Sequence, residues 1–181
     1  PPDLVAWAST HSHLGGSYRL VGDLPKARQT LEEGLELTRT RMGGRSGDQA
    51  EGFLLNALAR VAYAQQDYQT ALARDTQAAQ FFEAAEGRLL PRAPERIRAI
   101  LRRWVASSLF GVGRAQLALG HRDAADAAFD RGLKYARQSG LREMELELLS
   151  GQGTLALARQ DWPKALGIYQ QCIALANQVK R

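Results

Sequence analysis

One short corner, repeated four times, constrains this chain more than any other feature. Gly22-Asp23-Leu24-Pro25-Lys26-Ala27, Gln66-Asp67-Tyr68-Gln69-Thr70-Ala71, Gly120-His121-Arg122-Asp123-Ala124-Ala125 and Gln160-Asp161-Trp162-Pro163-Lys164-Ala165 share one skeleton: a tight polar turn leading into a segment with Ala at a fixed place. Successive alanines lie 44, 54 and 40 residues apart. A unit that returns at such intervals cannot bury its own apolar face, so its copies have to stack on one another to make a continuous core.

The register extends well beyond the corners. Twelve residues before each alanine stand Gly15, Ala59, Gly113 and Gly153, and seven after it stand Gly34, Ala78, Gly132 and Cys172. Small residues at fixed places let antiparallel helices approach to the short end of the usual 8 to 10 Å spacing. Four residues after each alanine come Leu31, Asp75, Phe129 and Tyr169, where bulk would fill the room left by the small partners; Asp75 breaks the rule. Helices are predicted over 3–21, 24–42, 48–65, 68–86, 94–119, 122–138, 141–159 and 162–179. Asp3 is the expected cap of the first. Pro25 and Pro163 sit at expected starts, and Gly43-Gly44, Gly87 and Ser139-Gly140 at expected stops. The two prolines in Gly87-Arg88-Leu89-Leu90-Pro91-Arg92-Ala93-Pro94 break the pattern, and the extra length of this connector, a candidate hinge, explains the 54-residue interval.

His11-x2-Leu14-Gly15-x2-Tyr18 followed by Ala27-x3-Leu31 resembles the tetratricopeptide repeat (TPR) signature, Trp-x2-Leu-Gly-x2-Tyr with a later Ala-x3-Phe. His replaces Trp, Leu replaces Phe, and the closing Pro of the pattern is missing from all four units. The long spacing resembles the helical arrays of bacterial LuxR-type ATPase regulators and, less closely, those of kinesin light chains. The fold class this implies is all-α, a right-handed α-α superhelix of four helix pairs, 3–42, 48–86, 94–138 and 141–179, forming a single domain over 1–181.

Composition sets the remaining bounds. Of 181 residues, 45% are hydrophobic and 24% charged, which excludes wholesale disorder and collagen-like or mucin-like chains. The lone Cys172 can form no internal disulfide or thiolate zinc site, which fits a reducing compartment and an expected cytoplasmic location. No apolar run approaches the roughly 18 residues needed to span a bilayer. The chain opens on Pro1-Pro2 and stops at Lys180-Arg181, and is expected to be a fragment of something longer.

In TPR arrays the concave surface is lined by the first helix of each pair, and the resemblance therefore points to that face for binding. Ser12 and Arg19, with Ser9 and Gly16, are its expected residues in the first unit, and Phe53, Asn56, Arg60 and Tyr63 in the second. Phe110 and Arg114 follow in the third, Ser150 and Thr154 in the fourth. Arginine forks beside aromatic rings suit an acidic-aliphatic peptide or a small anion. Ser12 and Gly16 stand where chaperone-binding relatives place Lys and Asn of a carboxylate clamp, which argues against that activity.

Net charge is +5, and six arginines, Arg88, Arg92, Arg96, Arg98, Arg102 and Arg103, fall within sixteen residues holding one acid, Glu95. This flank could touch RNA, DNA or an acidic partner domain, or be no more than an exposed helix in an arginine-rich chain. Arginine outnumbers lysine 20 to 4 across the chain, and no nucleic-acid module accompanies the flank, which argues against nucleic-acid binding. Catalysis has thin support. His11 and His13 point apart on a helix, His121 lies at a corner, and Cys172 holds a packing position. Glu143, Glu145 and Glu147 fan around a helix rather than converge on a metal.

The chain is therefore expected to be a noncatalytic module, without cofactor or metal, that binds a protein or peptide, as part of a bacterial signalling or transcriptional regulator with no membrane contact. Two alternatives are a small-ligand sensor array and self-association through the last helix, where Ile168, Ile173, Leu175 and Val179 lie.

Overall fold

The computed structural model describes residues 4–41, 44–89 and 91–179, with the side chains of 6–41, 49–89 and 91–178. Its elements are helices alone: α1 (Leu4–Leu20), α2 (Leu24–Arg41), α3 (Gly44–Ala64), α4 (Tyr68–Gly87), α5 (Glu95–Ala118), α6 (Arg122–Gln138), α7 (Arg142–Ala158) and α8 (Trp162–Val179). This is the all-α arrangement of helix pairs that the corners imply. Asp3 and Gly43 lie outside the described residues. Gly44, an expected helix stop, instead opens α3, which starts four residues ahead of prediction; the first N–H groups of a helix have no intrahelical partner, so a glycine costs little there. The chain divides into two compact units, 1–90 and 91–181, and the boundary falls within the proline-marked connector.

All four corners are built alike. The residue five before each reference alanine adopts a left-handed backbone: Gly22 (φ 85°), Gln66 (62°), Gly120 (83°) and Gln160 (59°). The next N–H then reaches back across the helix end, from Asp23 to Tyr18, Asp67 to Ala62, His121 to Gln116 and Asp161 to Ala156, at 2.9 Å each. That closure satisfies a carbonyl left over at the helix C-terminus. In three corners an aspartate also caps the following helix: the Oδ1 atoms of Asp23, Asp67 and Asp161 accept from the backbone N–H of Lys26 (3.2 Å), Thr70 (3.1 Å) and Lys164 (3.1 Å). His121 makes no side-chain cap; its Nδ1 lies 2.8 Å from Oε1 of Gln116.

The small residues make the contacts that their spacing predicts. A Cβ built on Gly15 would lie 2.4 Å from Leu31 Cγ, one on Gly113 2.4 Å from Phe129 Cε1, and one on Gly153 2.7 Å from Tyr169 Cζ. Each pair is separated by the same sixteen residues. Alanine cannot be accommodated there without displacement of a core side chain. The second small position mediates stacking between pairs. Gly34 faces His11 of α1 and Leu54 of α3, both 3.0 Å from a built Cβ, and Gly132 faces Leu109 of α5 and Leu148 of α7 at 3.5 and 2.6 Å. The same edge of the Phe129 ring also meets α7, because a Cβ on Gly151 would lie 2.7 Å from Cε1. Within the second unit this builds a core that includes Ala106, Ala125, Phe129, Leu133 and Leu148.

Charged side chains bridge the same stacking steps on the outside. Arg39 of α2 pairs with Glu51 of α3 at 2.5 Å, and Arg137 of α6 with Glu145 of α7 at 2.7 Å. Both arginines stand twelve residues after one reference alanine and both glutamates twenty before the next. Arg159, at the end of α7, bridges Asp126 (2.5 Å) and Asp123 (2.7 Å) of α6 and is also bonded to the Arg122 carbonyl. In α8, Ile168 is buried, Ile173 exposed and Leu175 half-buried; the side chain of Val179 lies outside the described residues. No helix among the described residues is long and apolar enough to cross a membrane.

Candidate functional site

The first helix of each pair presents its expected residues in different ways. In the first unit, Ser12 and Arg19 of α1 and Phe53 and Tyr63 of α3 are half-buried, and Arg60 is exposed. Phe53 packs on Phe82 of α4 with centroids 5.2 Å apart, and Tyr63 meets Tyr68 edge-on at 5.2 Å. These rings join core to surface and leave part of each face to solvent. Asn56, expected on the open face, is instead only 4% exposed, and its Nδ2 donates to Oδ1 of Asp75 at 2.8 Å. Asp75 is itself 4% exposed, at the place where the other pairs hold Leu31, Phe129 and Tyr169. A carboxylate in the core has to be hydrogen-bonded, and the Asn56 amide, turned toward α4, supplies one donor.

In the second unit, Phe110 and Arg114 of α5 are half-buried and one turn apart, with the Arg114 guanidinium 5.5 Å from the Phe110 ring centre. This is cation–π geometry that aligns the guanidinium with an aromatic face. Phe110 backs onto Phe129 at 6.2 Å. On α7 the exposed Ser150 and Thr154 face outward, and the Thr154 hydroxyl lies 3.4 Å from the Tyr169 hydroxyl. Each unit thus combines guanidinium and aromatic surface on its first helices, Arg60 with Tyr63 in one and Arg114 with Phe110 in the other. Arg60 and Arg114 also take part in intramolecular interactions.

The second unit also holds a cleft of about 480 Å3 between Arg103 of α5, the corner residues Gly140 and Leu141, and Arg142, Met144 and Glu147 of α7. Arg142 donates to Oε1 of Gln178 at 3.2 Å, which closes one side. Glu143 approaches Arg103 at 3.9 Å and Glu145 pairs with Arg137, so these two glutamates of α7 face arginines rather than each other.

The remaining reactive side chains have structural surroundings. His11 stacks on Trp7 one turn earlier, centroids 3.5 Å apart, with Nδ1 3.0 Å from the Trp7 carbonyl, and its Cβ lies 3.0 Å from a Cβ built on Gly34 of α2. Cys172 is buried at its small-residue position, and burial pushes its thiol above the ordinary 9.0, which disfavours the nucleophilic thiolate. Asp75 with Asn56 is the polar centre that sequence reasoning failed to assemble, although Asp75 is visible there as an exception to the register.

Two models described as tetratricopeptide repeat match the chain, one over residues 8–84 and the other over 148–181. A search of curated proteins finds no match. Among solved structures, BtubC (BKLC) from P. vanneervenii superposes with a TM-score of 0.64 at 18% identity over 97% of this chain. The chain spans 64% of the length of that protein. A putative kinesin light chain from Podosopora anserina with nearly identical TPR-like repeats, and a point variant of the same protein, each give a TM-score of 0.45 at 14% identity, with both chains fully covered.

Proposed function

Because the chain belongs to the tetratricopeptide-repeat superfamily, we propose that it is a noncatalytic interaction module that binds a peptide or partner protein on the inner face of its first helices. The observation that carries this reading is Arg114 poised over Phe110, matched in the other unit by Arg60 one turn from Tyr63. A carboxylate can be received by the guanidinium fork while an aliphatic side chain lies on the adjoining ring. Ser12, Arg19 and Phe53 extend the same kind of surface. The long repeats further support a place in a bacterial signalling or transcriptional regulator. An array of acidic-aliphatic peptides tests the reading: binding is expected to weaken at least about tenfold in Arg60→Ala or Arg114→Glu, as for loss of one charged contact. Unchanged capture of every bound peptide by both variants sinks it.

A second reading, a small-ligand sensor, is favoured by the cleft of about 480 Å3, a volume within the range of small-molecule sites. Thermal-shift screening of small anions and zwitterions against Arg142→Ala separates the two readings.

A further inference from the structure

We propose that the N-terminal part of α5 is a second docking surface, for an acidic-aliphatic helix or peptide, separate from the inner face of the first helices. The length of this element sets it apart. Gly113 opposite Phe129 fixes the antiparallel register of α5 against α6, and in that register Gln138, the last residue of α6, falls opposite Trp104. Residues 95–103 therefore extend past the end of their own partner helix.

That extension carries an unusual surface. Arg96, Ile100 and Arg103 recur at four and three residues and share one face, with Ile97 next to it, three residues before Ile100. Ile100 is 55% exposed and Ile97 38%, whereas Leu101 and Val105 are buried. The stripe thus reads cation, aliphatic, cation. Its cations are available. Glu95, the single acid in this stretch, is engaged by Arg102 at 3.2 Å, and Arg96 makes no ion pair among the described residues. Arg103 keeps 58% of its side chain exposed, and its one ion pair among the described residues is the long 3.9 Å approach to Glu143. The exposed Arg92 in the connector lies on the approach to the same end.

Charge complementarity selects the occupant. A partner has to neutralise Arg96 and Arg103 and also cover Ile97 and Ile100, and a segment with Glu or Asp flanking Leu or Ile does both. A nucleic acid fits less well: phosphates would satisfy the arginines but leave the isoleucines wet. The surface also gives the arginine-rich segment a use that the inner-face reading leaves unexplained.

The test uses the whole chain and a fluorescein-labelled helical peptide with Glu and Leu on one face, read by anisotropy. Binding is expected to weaken as salt rises and to fall about tenfold or more in Arg96→Glu/Arg103→Glu, and several-fold in Ile100→Ser. These measurements are made in the Arg60→Ala/Arg114→Glu background, which removes the inner-face contribution to binding of such a peptide and is expected to leave the α5 contribution in place, so the two surfaces fail or stand independently. Far-ultraviolet circular dichroism confirms that the exposed substitutions leave the helices intact. The proposal is overturned by absence of binding in that background, by full binding when Arg96→Glu/Arg103→Glu is added to it, or by equal or tighter binding of a thymidine oligonucleotide.

Discussion

Gly113 and Phe129 meet at one of the two shortest of the repeated contacts: a methyl group on the glycine would lie 2.4 Å from the aromatic ring of the facing helix. Phe129 is fully buried, and the same ring edge also meets Gly151 of α7 at a built-Cβ distance of 2.7 Å, so a shift of the ring disturbs a second helix. Gly113→Ala is therefore expected to destabilise the second unit by about 1–3 kcal/mol through overpacking. Gly16 offers the control, since a Cβ there meets nothing within 4 Å and its backbone is helical, so Gly16→Ala is expected to stabilise by about 0.5–1 kcal/mol. Urea unfolding of the two variants checks both signs, and destabilisation by Gly16→Ala would contradict the register.

Asn56 and Asp75 show what a repeat can do when one member abandons the apolar rule. Removal of the carboxylate takes one acceptor from the buried Asn56 amide, so Asp75→Ala is expected to cost about 1–3 kcal/mol beyond the loss of packing. The effect should be non-additive. A double-mutant cycle with Asn56→Ala is expected to give a coupling above about 0.5 kcal/mol, and strict additivity in urea melts would show that the pair shares no energy.

Gln66 and Gln160 hold a left-handed backbone at the position where the other two corners have Gly22 and Gly120. A side chain there costs roughly 1–2 kcal/mol, partly offset by the lower entropy of the unfolded glutamine chain relative to glycine. Gln66→Gly and Gln160→Gly are each expected to gain about 0.5–1 kcal/mol, and Gly120→Ala to lose a similar amount. His121 is the corresponding opportunity for the cap: His121→Asp supplies the acceptor present in the other three corners and should add about 0.5–2 kcal/mol. Melting temperatures of the four variants order the corners by these two effects.

These corners explain why so much of the fold was legible. Turn chemistry is local, and the left-handed residue, the aspartate cap and the small residues at fixed offsets all lie within one or two helices of each other. The contacts Gly15–Leu31 and Gly153–Tyr169 therefore follow from a sixteen-residue spacing alone. The start of α3 escaped because consecutive glycines at 43 and 44 signal a helix stop by propensity, while a helix N-terminus tolerates the second of them. Asn56 escaped for a different reason. Register places it on the inner face, but its rotamer is decided by a buried carboxylate nineteen residues away, and no periodicity encodes that pairing. The stripe on α5 was visible as charge, yet its solvent-exposed character depends on where α6 ends.

The capping aspartates give the chain a defined acid response. The Lys26 ammonium, followed by the Lys26 backbone N–H, holds Asp23 below its ordinary 3.8, and the side-chain and backbone donors of Thr70 hold Asp67 there as well. A carboxylate whose pKa is lower in the folded than in the unfolded chain binds protons more weakly when folded. Its contribution is complete above about pH 4 and is lost as pH falls through the folded value. Asparagine caps a helix as well as aspartate but does not titrate in this range. Asp23→Asn/Asp67→Asn is therefore expected to match the parent chain near neutral pH, apart from the Lys26 pairing, and to lose less stability between about pH 4 and pH 2. Urea midpoints measured across that range check the prediction; parallel acid limbs for parent and variant would show that neither carboxylate is linked to folding.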